Sequence, residues 1–196
     1  MIKAMLNLFV VLSVTIGGVS ANSWAAPSLT PVRLQSGVNP ISNIAGDGKS
    51  GSISLGWRDN GNAWGYNIFT VMVGNNIVTH EVDGKDFDQF RDSPHTGDDM
   101  ITSVRFARGV FRGRKTLMAL VANRDFQTSI PDPAIATITI YALIANNEGV
   151  GTPYQFTRIA NRVTKRSYCN ADMALKTELG FPLNGSYSGP KTADGC

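Results

Sequence analysis

The chain has 196 residues, 42% of them hydrophobic and 17% charged, with 20 glycines and a formal net charge of +3. That length suits one compact domain. Low charge with abundant Gly, Ser, Thr and Asn excludes a helical bundle and a disordered chain, and points to a turn-rich β protein. So small a positive surplus gives no electrostatic basis for nucleic-acid binding.

The first segment reads as an address. Lys3 precedes an apolar run from Met5 to Val19, and Ser20-Ala21-Asn22-Ser23-Trp24-Ala25-Ala26-Pro27 follows. These are the basic start, apolar middle and small-residue exit of a secretory signal peptide, with cleavage expected after Ala25. The run is short and broken at Gly17-Gly18, which argues against a membrane anchor. The expectation is an exported, soluble domain over residues 26–196, its net charge lowered by the loss of Lys3.

After a Pro/Ser/Asn-rich opening, Ile53 to Arg58 alternates apolar with small or polar residues and predicts a half-buried strand. Asp59-Asn60-Gly61-Asn62 supplies the turn, and Tyr66 to Val73 the partner strand. Gly74-Asn75-Asn76 turns again into a third strand, Ile77 to Val82. A charged stretch from Asp83 to Asp99 interrupts the pattern. Strands resume over Met100 to Phe111 and Thr116 to Arg124, joined by a turn at Arg112-Gly113-Arg114. The β-branched run Ala134 to Ile144 predicts a strand buried on both faces. Phe156 to Val163 is compatible with strand or helix. Asp172 to Leu179 predicts a helix, with Asn170 as N-cap and Gly180 as its stop. About seven hairpin-linked strands make an all-β antiparallel sandwich with a short C-terminal helix the expected fold, and a barrel the alternative.

Motifs for chemistry are sparse. HExxH, the Walker loop and GxGxxG are absent, and two histidines, His80 and His95, are too few for a His-rich zinc site. His80 is expected on the exposed side of its strand. Ser93, His95 and nearby aspartates do not form a hydrolytic triad by adjacency alone. Ser188-Gly189-Pro190-Lys191 matches S-x-x-K, but Gly-Pro inside it opposes the helical turn that motif needs. The chain is accordingly read as non-enzymatic.

The densest carboxylates are Asp83, Asp86, Asp88, Asp92, Asp98 and Asp99. Oxygen-rich loops suit a hard cation such as Ca2+, although the spacing is not that of an EF-hand, and a solvated or amide-capping loop is the simpler reading. Arg105, Arg108, Arg112, Arg114 and Lys115 crowd one hairpin; Arg158, Arg162, Lys165 and Arg166 form a second basic group. Arg112 and Arg114 are expected to face one side, away from the core, and either pair with the acidic loop or meet an anionic partner. Trp57 is expected in the core and Trp64 exposed as a recognition residue. Cys169 and Cys196, in an exported chain without CxxC spacing or a nearby His, predict one structural disulfide that pins the C-terminal tail.

Several stretches resemble the carbapenem intrinsic-resistance proteins of enterobacteria. They are Gly56-Trp57-Arg58-Asp59-Asn60-Gly61-Asn62-Ala63 with Gly65-Tyr66-Asn67, Arg91 to Asp99, Ser103-Val104-Arg105-Phe106, and Tyr168-Cys169-Asn170-Ala171-Asp172. The resemblance implies a periplasmic β-sandwich, a homodimer, and protection from a β-lactam without its hydrolysis. It also implies a structural cation, placed here at Asp92, Asp98 and Asp99. The partner is then an unidentified protein, cell-wall polymer or the β-lactam. That fold is similar to periplasmic inhibitors of invertebrate-type lysozyme, which gives the alternative function. The Ser-Gly-x-x-Tyr pattern of lysozyme inhibitors is missing, since Ser36-Gly37, Ser50-Gly51 and Ser188-Gly189 lack the Tyr. Ser186-Tyr187 is the residual candidate for such a loop.

Overall fold

Alternating apolar residues have to bury one face of each strand, and the chain does so by stacking two sheets. The computed structural model describes residues 28–62, 65–93, 100–125, 128–146, 149, 151–185, 187 and 189–196. The opening segment contributes β1 (Thr30–Pro31) and β2 (Gly37–Ile41), followed by β3 (Gly51–Arg58), β4 (Tyr66–Val73) and β5 (Asn76–Ile77). Next come β6 (Thr79–Val82), β7 (Lys85–Phe87) and β8 (Phe90–Arg91). Long strands follow: β9 (Thr102–Phe111), β10 (Arg114–Arg124), β11 (Ala134–Ala145) and β12 (Tyr154–Tyr168). A single helix, α1 (Ala171–Leu179), closes the order among the described residues.

The larger sheet runs β1-β9-β10-β11-β12-β6-β7, and the smaller β2-β3-β4-β5 with β8 also on β4. Pairing is antiparallel except where β12 meets β6, at Gln155–Thr79 and Phe156–His80. This is the expected all-β sandwich. Ile53, Phe69, Val71 and Val73 of the smaller sheet pack against Val104, Phe106, Leu117 and Leu143 of the larger. The opposite face of the larger sheet is covered too: Met118, Leu120, Ile138 and Ile140 meet Met173 and Leu175 of α1, and Phe181 beyond it. Double coverage explains why Leu117, Met118, Ala119 and Leu120 are all fully buried despite the period of two.

The ambiguous Phe156–Val163 segment is strand, part of the 15-residue β12. Its pairing with β11 slips between Ile135 and Thr137. There the Thr164 hydroxyl accepts from the Ala136 N–H (2.9 Å) and donates to the Arg166 carbonyl (2.7 Å), satisfying the broken ladder. Buried Arg124 ties down the proline-containing connection, donating from Nε to the Tyr168 carbonyl (2.7 Å) and from Nη2 to the carbonyls of Ile130 and Asp132 (2.8 and 2.7 Å). The helix is bounded as expected. Asn170 Oδ1 accepts from the Asp172 N–H (2.8 Å), and Gly180 adopts φ 65° at the end.

Three local expectations change. The strand foreseen over Ile77–Val82 is split at Val78, whose N–H donates to the Val71 carbonyl (2.9 Å) as the chain passes from the smaller sheet to the larger. His80 shares the inward parity of Val78 and is buried at 7% exposure, not exposed. Trp57 is 55% exposed instead of central. It lies at the end of β3 against Gly65, where a Cβ would come within 2.2 Å of Trp57 Cζ2, so only glycine fits under the ring.

Cys169 and Cys196 form the expected disulfide across a separation of 27 residues. The tail it retains is docked by the Cys169 N–H donating to the Asp194 carbonyl (3.0 Å) and by Thr177 Oγ donating to the Ala193 carbonyl (2.8 Å). Among the described residues no helix is long and apolar enough to cross a membrane.

Candidate functional site

Strand alternation sends Val104 and Phe106 of β9 into the inter-sheet core, and Ser103 and Arg105 to the face under α1. Asp172, in the first turn of that helix, is 4% exposed and sits where a carboxylate complements the helix dipole. Ser103 Oγ donates to Asp172 Oδ1, and Arg105 Nη2 donates to Asp172 Oδ2 in a salt bridge. Arg105 Nη1 also donates to the Val104 carbonyl (2.8 Å). Arg105 Nε is buried without a hydrogen-bond partner among the described residues.

This anchored guanidinium stands at the wall of a cleft of about 580 Å3 beside the edge of β9. One rim is the extended segment 31–35 after β1, held by the Val32 N–H donating to the Phe106 carbonyl (2.9 Å). The other is 181–185, which follows the Gly180 cap and is held by Phe181 and Leu183 packing into the core cluster under α1. Leu55, Phe69 and Phe106 form an apolar floor. Arg33 projects from the first rim, exposed and without a charge partner among the described residues. Among the described residues no carboxylate lines the cleft.

Asp92 is 3% exposed, and its carboxylate accepts from both the backbone and the side-chain nitrogens of Asn67 (2.8 Å each), bracing β4. Asp98 and Asp99 lie outside the described residues, among which there is no group of three His, Cys, Asp or Glu placed to hold a metal. Trp64 and Ser186 also lie outside them. Tyr187 is half-buried, its N–H donating to the Asn184 carbonyl (3.0 Å) and its hydroxyl to the Pro190 carbonyl (2.6 Å). The phenol closes its own loop in place of projecting from it.

The basic hairpin divides by role. Arg108 donates to the carbonyls of Asn43, Ile44 and Lys115, so it fastens a loop. Arg112 occupies the two-residue turn with Gly113 (φ 50° and 74°), not a strand, and stands over the Phe111 ring at 5.1 Å. Arg114 opens β10 and is exposed. Of the residues that shape the cleft, Ser103, Arg105 and Asp172 lie in the stretches that carry the resemblance, but no motif joins them into one group, and Arg33 belongs to none. The signals were there: an acid just after a helix cap, and alternate polar residues on a strand otherwise rich in apolar ones.

On the far side of the core, His80 stacks on Phe90 with ring centroids 3.9 Å apart. Burial pushes its imidazole down to about 4, against a backbone hydrogen bond with Phe87 and the charges of Asp86 and Asp88. Between that value and the ordinary 6.5 the unfolded chain binds the proton and the folded chain does not, so stability is lost as the pH is lowered. Unfolding free energy is expected to be level above about pH 6.5 and to drop by about 3 kcal/mol toward pH 4. His80→Phe keeps the stack and removes this component. Denaturant titrations of both proteins across that window check it; parallel curves would contradict it.

No family model matches the chain, and no curated protein does. Among solved structures, the crystal structure of CarG is similar at a TM-score of 0.60 and 21% sequence identity, over 83% of this chain and 100% of that one. The two-sheet fold described above is therefore one that this chain shares with CarG.

Proposed function

We propose that this chain is an exported, non-enzymatic protein that protects a cell from a carbapenem without hydrolysing it. The observation that carries this reading is the fold shared with the whole of CarG. The stretches around Gly56–Asn67, Arg91–Asp99, Ser103–Phe106 and Tyr168–Asp172, which resemble carbapenem intrinsic-resistance proteins, support it. So does the disulfide, which belongs to an oxidising compartment. Deleting the gene is expected to lower the carbapenem MIC, and overexpression to raise it. An MIC unchanged by both would overturn the proposal.

A further inference from the structure

We propose that the cleft between segments 31–35 and 181–185 binds a small organic carboxylate with an apolar body. Its volume, about 580 Å3, falls within the range of small-molecule sites. Its floor of Leu55, Phe69 and Phe106 offers apolar contact, and Phe181 extends that surface along the second rim. Its charge is one-sided. Among the described residues two guanidiniums and no carboxylate line it, and the charge of Arg105 is offset from behind by buried Asp172. Arg33 remains as an exposed cation at the mouth, with no charge partner among the described residues. The carboxamides of Gln35 and Asn184 flank it and supply neutral donors. An apolar floor with a cationic rim recognises a molecule that is apolar at one end and anionic at the other.

The walls are held by the fold: the Gly180 cap and the packing of Phe181 and Leu183 place one rim, and the Val32 hydrogen bond to β9 places the other. A site built in this way needs little ordering on binding, which favours small ligands. A carbapenem carries the required carboxylate on a compact bicyclic body. That identification rests on the protective role proposed above; the preference for a carboxylate rests on the cleft alone.

The test is an NMR titration of 15N-labelled chain 26–196, disulfide intact, with three probes: 3-phenylpropionate, 3-phenylpropionamide and a carbapenem. Phenylpropionate is expected to shift resonances of residues 31–35 and 181–185 with Kd on the order of 1 mM, as its size allows. The amide is expected to bind about tenfold more weakly, having lost the charge-assisted contact. Arg33→Ala, a change at an exposed side chain, is expected to weaken the carboxylate about fivefold. Asn184→Trp, which fills the rim while leaving its backbone contact to Tyr187 in place, is expected to abolish binding. Equal affinity for acid and amide, shifts located elsewhere, or no shift up to about 20 mM would each overturn the inference. Binding of phenylpropionate but not the carbapenem upholds the carboxylate site and counts against direct drug contact. Failure of every probe removes the site but leaves the protective role to be decided by the MIC.

Discussion

Replacing Asp172 with alanine is expected to cost about 3–5 kcal/mol of unfolding free energy. Asp172 answers two groups at once, the Ser103 hydroxyl and the Arg105 guanidinium. Its side chain is 3% exposed and that of Arg105 is 13% exposed, so water cannot replace the lost carboxylate. The variant strands a positive charge that already carries an unpaired Nε, beneath a helix that has lost its first-turn acid. Removing the whole group tells the two causes of loss apart. Arg105→Met combined with Asp172→Leu leaves no buried charge, and is expected to cost much less than Asp172→Ala alone. Urea denaturation of the three proteins measures both effects. A single variant within about 1 kcal/mol of the wild type would mean that the pair is screened like a surface bridge.

The second large effect belongs to the disulfide. Opening Cys169–Cys196 frees a loop of 27 residues in the unfolded chain, which is expected to lower stability by about 3–4 kcal/mol. For a chain of this size that corresponds to roughly 10 °C in Tm. The loss should begin at the tail. Gly195 lies so close to the helix that a Cβ would meet Met173 Cγ at 2.8 Å, and the Cys169 N–H depends on Asp194 for its partner. The double variant Cys169→Ser/Cys196→Ser, followed by thermal unfolding and amide exchange, is expected to show a lower Tm with early exchange of the amide at position 169. A melt unchanged by both substitution and reductant would contradict this.

The sequence carried the strands wherever local pattern and final burial agreed. Ile53–Arg58 and Tyr66–Val73 alternate and pair with each other along their whole length. Asn170 and Gly180 bound the helix because capping depends on neighbouring backbone alone. What was not legible depended on distant partners. Ile77–Val82 looks like one strand, but its two halves serve different sheets, and that choice decides that His80 faces Phe90. Trp57 has the residue type of a core side chain, yet near the end of β3, paired with Asn67, it stays 55% exposed. The candidate site shows the same division. The cysteine pairing followed from chemistry, while the cleft required knowing that segments 31–35 and 181–185 meet beside β9. Arginines that look alike in the sequence differ for the same reason: Arg105 and Arg108 hold the structure together, and Arg112 and Arg114 face outward.

Protection without destruction of the drug is tested most directly by the intact carbapenem left in the medium around living cells. A susceptible strain exporting this chain is expected to grow at a drug concentration that kills the vector control, while the drug declines no faster than in that control. Accelerated loss of the drug, or no advantage in growth, would contradict it.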